Sequence, residues 1–177
     1  MSLKNLVKKI FYLNIHTEHL YHLIILKIFP SRVLNYSNFR EDVSPEDYYK
    51  IYRENLKNSY PIVDEIEKEL GFKIDNNWLN NLALITQISI KRTKICYAHG
   101  RILYSYLRYL KNNSNEKNFN ILEIGTSKGF SSLCMAKSLE DSDKTGKITT
   151  IDILAHDKNI YWNSIADCEG KNTRESL

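Results

Sequence analysis

The stretch Phe119-Asn120-Ile121-Leu122-Glu123-Ile124-Gly125-Thr126-Ser127-Lys128-Gly129-Phe130-Ser131 decides how this chain is read. An apolar run, Phe119 to Ile124, carries a single acid, Glu123, and stops at Gly125. A second glycine, Gly129, precedes a helix-like segment from Phe130 to Leu139. Strand, glycine turn and helix in that order let α/β proteins lay bare backbone against a nucleotide-like ligand. Glycine reaches dihedrals barred to other residues and leaves room for close approach. A second apolar run, Ile148 to Ile151, ends at Asp152, 23 residues beyond Gly129. A ribose-binding acid falls about 20 residues after such a turn. The pattern predicts a β-α-β unit with a ligand at its strand ends.

The type of ligand follows from the spacing. A dinucleotide fingerprint needs Gly-x-Gly-x-x-Gly, which Gly125-x-x-x-Gly129 with Ser127 between fits poorly. A P-loop needs Lys and Ser or Thr directly after its last glycine; here Phe130 and Ser131 follow, and Lys128 comes before. Glu123-x-Gly125-x-Ser127-x-Gly129 instead resembles motif I of the class I S-adenosylmethionine-dependent methyltransferases, an acid followed by three alternating glycines. Leu122 to Ser131 is most similar to the catechol-O-methyltransferase-like branch, with Ser127 a modest departure. Thr149-Thr150-Ile151-Asp152 resembles that branch's second strand, and the likeness is specific over Phe119 to Ile153. Tyr97-x-His99-Gly100-Arg101 and Tyr161-Trp162-Asn163 are similar to segments of bacterial members of unassigned substrate.

That resemblance implies S-adenosylmethionine as cofactor, bound by Glu123, Gly125, Thr126, Ser127, Gly129, Phe130, Ser131, Asp152 and Ile153. It implies that Glu123 contacts the cofactor's methionine end and that Asp152 accepts from both ribose hydroxyls. The expected activity is methyl transfer, mostly to oxygen, onto a small molecule or saccharide, with no catalytic residue assignable. The implied fold is an α/β, Rossmann-like class I methyltransferase domain whose sheet has seven strands. Two strands are visible and 25 residues follow Asp152, so the chain reads as truncated after the second strand and inactive by itself. The expected organisation is a helical N-terminal region, residues 1–111, followed by the start of the cofactor-binding domain, residues 119–177. A different class of function stays open: a non-catalytic Rossmann-like remnant whose helical region binds a partner. A nicotinamide-dependent oxidoreductase ranks third, weakened by the missing middle glycine.

The totals are ordinary for a globular protein: 177 residues, 42% hydrophobic, 26% charged and a net charge of +4. The lysines are scattered rather than striped, so nucleic acid is not indicated. Three cysteines, Cys96, Cys134 and Cys168, lack metal or redox spacing and fit reduced thiols in a cytoplasm. The N-terminal apolar runs are broken by His16, Glu18, His19 and His22, with neither a cleavage site nor a span of about 20 apolar residues. A basic amphipathic helix on a membrane surface is the minority reading there; packing against the rest of the protein is the majority one. His16, His19 and His22 fan across one helix side without converging, so no metal is expected.

Further along, Ser44 as N-cap, Pro45 at the first helical position and Glu46-Asp47 predict a helix to about Lys57. Tyr60-Pro61 starts a second, stopped by Gly71, and Asp75 caps a third containing Trp78 and Leu79. Over Ile95 to Leu110 the spacing predicts a helix presenting Tyr97, Arg101, Tyr104 and Arg108 on one side; His99 and Arg101 are candidates to touch cofactor or substrate, with a plain helix surface and one capped histidine the majority reading. Lys111 to Asn118 reads as a polar linker. His156 and Asp157 are read as a surface loop rather than an acid–base pair, and Trp162 as a cover for the adenine or plain packing.

Overall fold

The computed structural model of the chain describes residues 43–91, 94–142, 145–154 and 162–168. All of these fall within one compact unit, Phe39–Leu177. The N-terminal apolar runs with His16, His19 and His22, and also His156, Asp157 and Tyr161, lie outside the described residues. The described residues form six helices and a two-stranded parallel sheet, an α/β arrangement.

Short-range chemistry sets the first three helices. In α1 (Pro45–Asn55) the Asp47 carboxylate reaches back to the Ser44 N–H (2.9 Å) and hydroxyl (2.8 Å). Those two donors hold the Asp47 carboxyl below its usual range. Proline opens α2 (Pro61–Leu70), and Gly71 ends it at φ 77°, its N–H bonded to the Glu67 carbonyl. Asp75 caps α3 (Asn76–Thr86) by accepting the Trp78 N–H at 2.7 Å.

The fourth helix differs from its expected bounds. α4 runs His99–Asn113, so Tyr97 lies ahead of it rather than on its face. Tyr97 is buried, and its hydroxyl donates to Asn80 Oδ1 at 3.0 Å, a tertiary contact that periodicity does not encode. The expected linker is also shortened: Lys111 belongs to α4 and is fully buried, its ammonium 5.5 Å from the Phe119 ring centre. The long lysine stem packs as an apolar chain would.

β1 (Asn118–Ile124) pairs in parallel with β2 (Thr145–Ile151), from Asn118 opposite Thr145 to Ile124 opposite Ile151. Between them runs α5 (Phe130–Glu140), and a short α6 (Ile165–Cys168) follows β2. α4 packs along α5 where Gly100 admits Phe130 and Cys134; a Cβ there would come within 2.7 Å of both. The Tyr104 hydroxyl closes the far end of that contact on Asp141 at 2.8 Å. Tyr48, Ile74, Leu79, Ala83, Ile88, Tyr97, Tyr104, Phe130, Cys134 and Ile165 join in one core, which therefore lies among the helices. Phe119, Ile121 and Glu123 are partly buried, whereas Leu122, Ile124 and Ile151 on the sheet are exposed. Among the described residues no helix is long and apolar enough to cross a membrane.

Candidate ligand-binding turn

The glycine turn leaves β1 beside the carboxyl end of β2. The Gly125 N–H donates to the Ile151 carbonyl at 2.7 Å, extending the sheet ladder one step. The chain then alternates through the left-handed region at Gly125 (φ 88°), Ser127 (φ 50°) and Gly129 (φ 76°). Glycine occupies the outer two of these positions without steric cost; Ser127 bears one, since Cβ crowds the backbone there. A Gly129 N–H to Thr126 carbonyl bond of 2.8 Å closes the turn, and the Gly129 carbonyl accepts the Leu133 N–H at 2.9 Å to begin α5.

Asp152 is brought to this turn. Its Oδ2 accepts the Ser127 N–H at 2.6 Å, and its Oδ1 accepts the Leu154 N–H at 2.8 Å. One carboxylate thus ties the middle of the turn to the loop leaving β2. Glu123, next to last in β1, accepts a hydrogen bond from the Ser132 hydroxyl in the first turn of α5. The two acids therefore flank the glycine turn, one from each strand. A carboxylate accepts about four hydrogen bonds, so each can hold the turn and also take donors from a ligand.

The remaining expected residues divide. A Cβ built at Gly125 or Gly129 meets nothing within 4 Å, so both glycines border open space. The Thr126 hydroxyl is buried without a hydrogen-bond partner, a cost that a polar ligand atom would relieve. Ser131 is half-buried at the start of α5, and Ile153 is wholly exposed. The Phe130 side chain turns away into the core, edge-on to Tyr97 and His99 at 6.3 and 5.0 Å. What Phe130 presents to the turn is its backbone N–H, at the positive end of α5.

His99 and Arg101 have tasks within the fold. The Arg101 guanidinium is held by Glu67 (Nε to Oε1, 2.8 Å) and Asp64, both on α2. His99 is exposed as a residue, yet desolvation holds its imidazole below the ordinary value in spite of an opposing backbone hydrogen bond at Cys96. The His99 ring lies edge-on to Phe130, with centroids 5.0 Å apart.

Lys128 is the residue that sequence reasoning passed over. It is only 7% exposed, with Nζ 3.3 Å from the Ile85 carbonyl near the end of α3 and 5.5 Å from the Trp162 ring centre. The carbonyl end of a helix favours a cation, and the indole face adds to this. Burial still pulls the ammonium down to about 8, against a smaller opposing pull from Asp167. Lys128 therefore pins the glycine turn to α3, and Trp162 packs on that pin. Nothing local in the sequence marks it, because both contacts come from distant segments.

Two described cavities lie away from the turn, around Asn55, Asn58 and Tyr60. Among the described residues no group of three His, Cys, Asp or Glu is placed to hold a metal ion. No protein-family model, no curated protein and no solved structure matches the chain.

Proposed function

We propose that the chain binds S-adenosylmethionine at the glycine turn of a class I, Rossmann-like methyltransferase domain, the parent activity being methyl transfer to an oxygen of a small molecule or saccharide. One observation carries the reading: residues 125, 127 and 129 alternate through positive φ between two parallel strands, with Asp152 bonded to the middle one. Glycine at the outer two positions permits these dihedrals without steric cost, which supports the resemblance to an alternating glycine motif with serine at its centre. Parallel strands place ligands outside their carboxyl ends, where this turn lies.

The bound cofactor would supply a methyl group on a positively charged sulfur, open to in-line displacement. The protein's share is alignment of the acceptor with that methyl. Asp152 would receive the ribose hydroxyls, and Glu123 would face the amino group of the methionine end. Gly125, Thr126, Ser127 and Gly129 would lie against the cofactor through backbone, together with the N–H groups of Phe130 and Ser131. Lys128 would hold the turn in place from beneath.

The test is calorimetric titration of the full chain with S-adenosylhomocysteine, with a methyl-transfer assay on hydroxylated acceptors beside it. Hydrogen bonds to a charged group contribute about 1.5–3 kcal/mol each. Asp152→Ala should therefore weaken binding by at least about tenfold, at about 1.4 kcal/mol per decade. Absence of binding by the unmodified chain, or equal affinity in the variant, would overturn the proposal.

A further inference from the structure

Side chains alternate along β1, so Glu123 shares the partly buried face with Phe119 and Ile121, while Leu122 and Ile124 lie on the exposed one. A half-buried carboxylate is costly unless it is paired or hydrogen-bonded. Among the described residues no lysine, arginine or histidine forms an ion pair with Glu123. Its partner is a hydroxyl: Ser132, the third residue of α5, donates to Glu123 Oε2.

The start of α5 is suited to this contact. Its N-cap is Gly129, which has no side chain to accept the first N–H groups, and its first turn holds no acid. The positive end of the helix is therefore complemented from outside, by an acid that β1 brings to it. Two positions before Ser132, the Phe130 ring is anchored in the core, edge-on to Tyr97 and His99. That anchor fixes the first turn of α5 and with it the Ser132 hydroxyl. One donor on a fixed turn orients the carboxylate. A carboxylate accepts about four hydrogen bonds, so most of its capacity stays open.

We infer that Ser132 is a positioning residue for Glu123, holding the carboxylate ready for the ammonium of an amino-acid group, so that the turn favours ligands with an amino-acid end over the corresponding nucleosides. This rests on the S-adenosylmethionine reading above and adds to it a residue that acts through Glu123. The competing account is structural: the bond ties α5 to β1 and does nothing more. The two accounts differ in what they do to ligands. A carboxylate held in place beforehand lowers the cost of binding only for a ligand that brings a cation to it. A tie between helix and strand serves every ligand of the turn alike.

The full chain is titrated calorimetrically with S-adenosylhomocysteine and with methylthioadenosine, which keeps the adenosine and the thioether and lacks the amino acid. Ser132→Ala should weaken S-adenosylhomocysteine by about fivefold or more, through loss of a hydrogen bond to a charged group, and leave methylthioadenosine within about twofold. Ser132→Thr keeps the hydroxyl and should return S-adenosylhomocysteine to within about twofold of the unmodified chain. A loss shared equally by both ligands, unchanged affinity in Ser132→Ala, or no recovery in Ser132→Thr would each overturn the role given to Ser132 and leave the cofactor reading standing. Failure of the unmodified chain to bind S-adenosylhomocysteine would overturn the cofactor reading and this inference with it.

Discussion

Replacing Lys128 with methionine tests the pin beneath the glycine turn through its dependence on pH. The buried ammonium titrates at about 8 in place of an ordinary 10.5. That difference disfavours the charged form by roughly 3 kcal/mol, at about 1.4 kcal/mol per pH unit. Because the folded-state value is depressed, the unfolded chain binds more protons between pH 8 and 10.5. Stability contributed by this group therefore rises with pH across that window. By pH 9.5 the rise should reach about 2 kcal/mol relative to pH 7. Other groups pull the opposite way: burial raises the Cys134 thiol and the Tyr48, Tyr97 and Tyr104 hydroxyls to about 12, so they lower stability as pH rises past their unfolded values. Subtracting the Lys128→Met curve removes these shared contributions. Urea unfolding followed by circular dichroism at pH 7, 8, 9 and 9.5 measures the difference. Whatever advantage methionine shows at pH 7 should shrink by about 2 kcal/mol by pH 9.5, near 1 M in urea midpoint for a chain of this size. A gap that stays constant across that range would refute the buried-ammonium account.

Three further outcomes can be checked on the same protein. Ser127→Gly removes a Cβ from a left-handed residue and should stabilise the fold by about 0.5–1 kcal/mol, read as a higher urea midpoint; no gain would mean that Ser127 carries no strain. Gly100→Ala puts a Cβ within 2.7 Å of Phe130 and Cys134 and should cost about 1–3 kcal/mol by overpacking, more than helix propensity returns. An unchanged melting temperature would show that α4 and α5 are looser than described. Ile124→Lys places a charge on the exposed sheet face beside Leu122 and Ile151 and should reduce concentration-dependent self-association in sedimentation velocity without loss of helicity.

The sequence by itself determined features whose partners lie within a few residues. Ser44 with Asp47, proline at 45 and 61, Gly71 and Asp75 mark helix ends, because a cap is a contest for backbone N–H and C=O groups among near neighbours. The apolar run to Ile124 and the glycines at 125 and 129 likewise announced a strand and a turn. The spacing to Asp152 placed an acid beside that turn, since a parallel crossover fixes about how much chain separates two adjacent strand ends.

Tertiary structure alone decided which of these side chains are spent within the fold. Arg101 was open to either a ligand contact or a helix surface, and α2 brings Glu67 and Asp64 to it from more than 30 residues away. Phe130 belongs to the motif by position and to the core by packing, because Gly100 leaves the space that its ring fills. Lys111 and Lys128, polar by type, are buried where Phe119, Ile85 and Trp162 converge on them. The left-handed turn at Ser127 is held from across the sheet by the Asp152 carboxylate. In each case the deciding partner is far away in sequence, and periodicity and capping report only on neighbours a few residues apart.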